Sequence, residues 1–235
     1  MRWTMMSSLS SAMRCIVPPP VRRALRRVHR RHVFRQALLE VGRTSDQGVA
    51  SSPDLLDALV YGWGNETFSA RREFLAALLS YGPLADGPIL ECGSGLSTVI
   101  LATVSRQHVW SLEHDSTWGK HTQAALDTHR RRRAHVLPAP LRNYGQFTWY
   151  DPPFAVMPRD FALVICDGPP KGTPGGRYGL LPLMHPRVRS GCVVLLDDAG
   201  RPDERRVLDQ WVSEFHVTFS MAGERQRYAI LSVPA

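Results

Sequence analysis

From residue 88 onward the chain alternates short apolar runs with stretches of helical period, and most of the runs finish on or beside an acid. The runs are PILEC (88–92), HVWSLE (108–113), AHVLP (134–138), FALVICD (161–167) and CVVLLDD (192–198), and helical patterns fall near 96–106, 115–131, 178–187 and 203–215. A strand joined to the next by a helical crossover runs parallel to it, and a run that is apolar on both faces has to be covered on both. The pattern therefore predicts an α/β fold, doubly wound, with a mainly parallel sheet. Two last runs, HVTFS (216–220) and RYAILSV (227–233), have only a turn between them, which brings the sheet to seven strands with an antiparallel strand at the edge. Before the sheet, FSARREFLAALLSYG sets Phe68, Phe74, Leu75, Leu78 and Leu79 on one helical face, and Gly82-Pro83 ends that helix.

Charge is distributed unevenly. Residues 1–39 contain nine Arg and no acid, whereas the remaining 196 residues balance 20 Lys plus Arg against 21 Asp plus Glu. The formal net charge of +8 thus belongs to a basic N-terminal helical extension, assigned to 1–45, and the α/β domain, assigned to 46–235, is nearly neutral. A neutral body argues against nucleic acid as a partner, because phosphate binding depends on clustered cations. In the extension, Val21, Ala24, Leu25 and Val28 recur at helical spacing among Arg22, Arg23, Arg26, Arg27 and Arg30. Two readings stay open: peripheral contact of 21–35 with an anionic membrane, or a solvated helix packing its small stripe on its own domain. VGRTSDQGVASSPD (41–54) reads as a linker, and Arg130 to Arg133 as the solvated end of a helix. Cys15, Cys92, Cys166 and Cys192 lack C-x-x-C spacing, no apolar run approaches a membrane span, and the first twenty residues make a poor secretory signal. The expectation is a reduced, cytoplasmic protein.

Parallel α/β sheets bind ligands at the carboxyl ends of their strands, so the acids there are the candidate site. In ILECGSGLST, Glu91 precedes a Gly93-Ser94-Gly95 turn that admits a ligand to the backbone, and Ser97-Thr98 open a helix with free N–H groups. Thr98 stands where a dinucleotide-binding loop wants Gly or Ala, which demotes NAD, and Glu91 suits a cofactor with a positive group. Glu113 ends the next strand 22 residues later, the place of a carboxylate that accepts from ribose hydroxyls. Its neighbours are His114 and Asp115, the latter suited to cap a helix.

These residues resemble the class I, Rossmann-like S-adenosylmethionine-dependent methyltransferases over roughly residues 68–235, carried by LECGSGLST, SLEHD, LVICDGPP and VVLLDDAGR. The resemblance implies that Gly93, Ser94, Gly95 and Ser97 meet the methionine part of the cofactor, with Glu91 near its amino group. Glu113 and His114 then lie at the ribose, and Pro140, in the PAPL segment, near the adenine. The family pattern usually has a third glycine where this chain has Ser97. Its catechol-type and caffeoyl-CoA-type O-methyltransferases bind a divalent metal with one Asp after the fourth strand and an Asp-Asn pair after the fifth. Here Asp167 and the pair Asp197-Asp198 offer oxygen ligands suited to Mg²⁺, or a loop cap with an Arg partner such as Arg201. Without a metal, Asp167, Asp197 or Lys171, one of two lysines, is the candidate base or positioner. Tyr144, Phe147, Trp149 and Tyr150 either line an acceptor pocket or cover the sheet edge.

The function expected is methyl transfer from S-adenosylmethionine to a small-molecule acceptor. The rivals are aminopropyl transfer, disfavoured by the absence of an acid from GSGLS, and a non-catalytic or membrane-tethered scaffold that keeps the fold.

Overall fold

The computed structural model describes residues 18–46, 52–65 and 71–234. The chain forms two compact units, 1–69 and 70–235. Phe68 and Cys15 of the sequence reading lie outside the described residues.

The first unit pairs helix α1 (Pro19–Asp46) with helix α2 (Pro53–Trp63). The helix α1 runs well beyond the Val21–Val28 stripe, and its buried face is Val33, Phe34, Ala37, Leu38 and Val41. Val21, Leu25 and Val28 are 46%, 60% and 67% exposed, so they do not form a packed stripe. The helix α2 replaces the end of the expected linker. It starts on a Ser52 side chain that accepts from Leu55 N–H, has Pro53 and Asp54 in its first turn, and stops at Gly64 in the left-handed region. Phe34 meets Trp63 with ring centroids 5.7 Å apart, and Arg30 donates to the Gly64 carbonyl at 3.2 Å. The second helix explains why this unit extends past the boundary expected at 45.

The second unit begins with α3 (Arg72–Tyr81), which buries Phe74, Leu75 and Leu78. It continues through β1 (Ile89–Cys92), α4 (Leu96–Val104), β2 (Val109–Glu113), α5 (Ser116–Thr128), β3 (Ala134–Pro138), β4 (Leu141–Asn143), β5 (Thr148–Tyr150), β6 (Phe161–Cys166), α6 (Leu180–Met184), β7 (Val188–Leu196), α7 (Pro202–Phe215), β8 (Thr218–Ala222) and β9 (Tyr228–Ser232). Seven strands form one sheet in the order β3-β2-β1-β6-β7-β9-β8. The first five in that order are parallel, and β9 runs antiparallel to both its neighbours at the far end. Every residue of β1 and β6 is buried, as strands covered on both faces must be. Described cysteines Cys92, Cys166 and Cys192 are buried and free.

An element not anticipated is the hairpin β4–β5, which stands apart from the main sheet. Trp149 and Tyr150 on it are 0% and 1% exposed and belong to the core. They cover the sheet end instead of lining an open pocket, while Tyr144 and Phe147 stack on one another at its margin. No helix among the described residues is long and apolar enough to cross a membrane.

Candidate functional site

The sheet order reverses between β1 and β6, which is where an open α/β sheet forms its ligand crevice. The strand ends are level there. Gly93 N–H donates to the Leu112 carbonyl at 2.9 Å, Asp167 N–H to Cys92 at 3.1 Å, and Asp197 N–H to Cys166 at 3.1 Å. Glu113, Gly93, Asp167 and Asp197 therefore follow one another along four adjacent strand ends, and the site divides into a β1/β2 half and a β6/β7 half.

In the β1/β2 half the glycine turn holds both glutamates. Gly93 has φ of +95°, a conformation that a side chain would strain, and the turn it makes brings Ser94 over Glu113. Ser94 donates to Glu113 Oε2 twice, from its backbone N–H at 3.0 Å and from its hydroxyl at 2.8 Å. Asp115 N–H donates to Oε1 at 2.8 Å, and His114 Nδ1 lies 3.1 Å from the same oxygen. Trp118 Nε1 reaches back from α5 to the Ser94 carbonyl at 2.7 Å. Asp115 caps α5 by accepting from Thr117 and Trp118 N–H, as its position suggests. Ala139 N–H donates to the Glu113 carbonyl, which sets exposed Pro140 just beyond it.

Glu91 is fully buried beneath this turn. The Thr98 hydroxyl donates to its Oε2 at 2.6 Å and accepts from Gly95 N–H at 2.8 Å, tying carboxylate, loop and helix start together. So the residue that departs from the dinucleotide pattern is a working part of the turn. Oε1 has no hydrogen-bond partner of good geometry among the described residues, although the hydroxyls of Ser97 and Ser111 face the carboxylate. Burial pushes the Glu91 pKa up to about 7 against the pull of those hydroxyls and Thr98. No Lys or Arg ion pair reaches either glutamate among the described residues. A buried carboxylate with a bare oxygen beside a glycine turn fits the ammonium of an amino-acid-like ligand, and Glu113 beside it fits vicinal hydroxyls.

The β6/β7 half carries its own cation. Asp167, Asp197 and Asp198 bring carboxylate oxygens within 4.8 Å of one another. The Arg177 side chain, 4% exposed, lies among them. Its Nη2 donates to the Asp167 carbonyl at 3.1 Å, Asp167 Oδ1 at 3.2 Å and Asp198 Oδ2 at 3.1 Å, and its Nη1 donates to the Asp197 carbonyl. Arg201 adds an ion pair to Asp198 Oδ2 at 2.7 Å, the loop-cap pairing that was one of the two sequence readings. Asp197 Oδ1 accepts from Asp198 N–H at 2.7 Å. Burial and the Asp197 charge push Asp167 well above the usual carboxylate range, and Arg177 pulls it partly back. A divalent ion bridging Asp167 and Asp198 would need the position that Nη2 fills, so the residues present do not fit Mg²⁺.

Of the sequence candidates, Glu91, Gly93, Ser94, Gly95, Ser97, Glu113, Asp167 and Asp197 come together at these strand ends. His114 and Pro140 lie at the rim of the first half. Lys171 is exposed in the turn after Gly168-Pro169 and makes no hydrogen bond or ion pair among the described residues. Arg177 was passed over, because nothing in GPPKGTPGGRYG marks one residue of an irregular loop as the returning one; the acids awaiting a counter-charge were the only signal. Thr98, which the sequence places at the helix start, also carries the hydrogen bonds to Glu91 and Gly95.

Comparison with known proteins agrees with this geometry. The profile of a methyltransferase domain family matches residues 90–199. Among solved structures, a protein described as a caffeoyl-CoA O-methyltransferase from Staphylococcus aureus is similar at TM-score 0.60 and 15% identity, covering 84% of this chain and 99% of its own. An O-methyltransferase from Bacillus cereus in complex with SAH is similar at TM-score 0.56 and 15% identity, covering 83% and 97%. A methyltransferase from Geobacter sulfurreducens gives 0.57 at 11% identity, covering 82% and 96%. At such identities the structures speak for the fold alone. No curated protein matches the sequence.

Proposed function

We propose that the chain, which matches a methyltransferase domain family over residues 90–199 and resembles the class I, Rossmann-like S-adenosylmethionine-dependent methyltransferases, methylates a small-molecule acceptor at oxygen. The observation that carries this reading is the pair of glutamates at neighbouring strand ends, joined through the Gly93-Ser94-Gly95 turn. S-adenosylmethionine supplies an activated methyl on a sulfonium. Glu91 would hold its ammonium, trading burial cost for an ion pair. Glu113 would accept from its ribose hydroxyls, and the Ser94 hydroxyl, which now donates to Glu113, also has Thr122 Oγ1 at 3.3 Å as a partner. Gly93, Gly95 and Ser97 give the ligand access to the backbone, while His114 and Pro140 border the nucleoside. Asp167 at the adjoining strand end holds the acceptor and takes its proton, its raised pKa favouring that role. Asp197 orients the turn beside it, and Lys171 reaches the acceptor side only if its loop folds inward. The O-methyltransferase names of two structural neighbours support oxygen as the acceptor atom.

Titration calorimetry with S-adenosylmethionine or its demethylated product tests the reading. Binding is expected, and Glu113→Ala should weaken it by roughly a hundredfold, the loss of two hydrogen bonds to a charged acceptor. No heat with either ligand removes the reading.

The exposed Val21, Leu25 and Val28 of α1, with exposed Arg23, Arg26, Arg27 and Arg31 around them, support a second proposal, peripheral contact with anionic lipid. Sedimentation of the full chain with phosphatidylserine vesicles should fall on Leu25→Glu/Val28→Glu; equal partitioning excludes the contact.

A further inference from the structure

We infer that Arg177 is a built-in replacement for a divalent cation: it neutralises the Asp167, Asp197 and Asp198 cluster and keeps metal ions out of it. Three carboxylates that close together cannot all stay ionised without a cation. The usual solutions are a bound metal or a buried guanidinium, and this chain has the guanidinium. Its fork lets Nη2 serve Asp167 and Asp198 while Nη1 serves the Asp197 carbonyl, so one side chain spans both strand ends. Glu204 Oε1 lies 4.0 Å from Nε and extends the acidic wall on the remaining side.

The delivery of Arg177 is itself built. The loop after Asp167 turns through hydrogen bonds from Thr173 to Pro170, Gly176 to Thr173 and Tyr178 to Gly175. The hairpin β4–β5 clamps it, for Thr148 N–H donates to the Pro174 carbonyl at 2.8 Å. A Cβ on Gly175 would come within 2.5 Å of Phe147 Cβ, and one on Gly179 within 2.5 Å of Trp149 Cβ. The two glycines flank Arg177, so the aromatic hairpin can press the loop down only because both sites lack a side chain. Arg177 is a positioning residue. It fixes Asp167 and the Asp197-Asp198 turn and needs no metal to do so.

The experiment is Mn²⁺ binding, followed by electron paramagnetic resonance on the intact protein, and it does not depend on methyl transfer. The wild type should leave Mn²⁺ free at roughly millimolar concentration, and Arg177→Gln should bind it at least about tenfold more tightly. Asp198→Asn added to Arg177→Gln should abolish that gain. Should Arg177→Gln fail to fold, wild type against Asp198→Asn still decides. Mn²⁺ held by the wild type and released by Asp198→Asn overturns the inference, and free Mn²⁺ in both supports it. Equal Mn²⁺ binding by wild type and Arg177→Gln overturns it too.

Discussion

The two halves of the crevice solve the same electrostatic problem in opposite ways. At the ends of β1 and β2, Glu91 and Glu113 are held by hydroxyls and backbone N–H groups, and among the described residues no cation reaches Glu91. At the ends of β6 and β7, three aspartates surround a resident guanidinium. A buried carboxylate without a cation awaits one from outside, whereas a cluster with its own cation is complete. The first half is therefore where a charged ligand adds most, and the second is scaffold that presents Asp167.

The contrast is tested most severely by removing the resident cation. Arg177→Leu leaves Asp167 and Asp197 without a cation and Asp198 with Arg201 alone, and chemical denaturation should show a loss of about 3–5 kcal/mol. A change below about 1 kcal/mol would mean that the aspartates never depended on it. The β1/β2 half should answer in the opposite direction. In the ligand-free protein Glu91, raised from 4.5 to about 7, favours the folded state fully below pH 4.5, and that contribution disappears as pH rises through 7. Glu91→Gln should remove this slope, worth about 3 kcal/mol, from the pH dependence of stability. Ligand binding carries the reverse sign, because the ammonium selects the ionised form: affinity for S-adenosylmethionine should rise about tenfold from pH 6 to pH 8 and stay flat in Glu91→Gln. Calorimetry across that range decides it, and a flat wild-type profile would detach Glu91 from the ligand. The smallest effect is expected at the link between carboxylate and loop. Thr98→Val loses the bonds to Glu91 and Gly95 and should cost about 1–2 kcal/mol in thermal unfolding.

How much could be read in advance follows from the range of the interactions involved. The strands β1, β2 and β6 were legible to within a residue or so because both faces are covered, which leaves nearly continuous apolar runs. Glu91, the glycine turn and Glu113 were legible as well, since a turn and two strand ends linked by one crossover form a local unit. The helix α2 is masked in the sequence by the polar stretch before it, although Ser52, Pro53, Asp54 and Gly64 are its start and stop signals. The extent of α1 is hidden in the sequence because its buried face, Val33 to Val41, lies past the arginine-rich stripe.

The sequence by itself therefore determined the α/β architecture, the level of the acids at the strand ends and the glycine turn between Glu91 and Glu113. All of these rest on periodicity and on residues close along the chain. Only the tertiary structure decided what neutralises Asp167, Asp197 and Asp198. The partner comes from a glycine- and proline-rich loop whose course has no periodicity, and the packing of Phe147 and Trp149 against Gly175 and Gly179 sets where that loop lies. Loop closure of this kind is chosen by contacts between distant segments, and single-residue preferences carry almost no information about it.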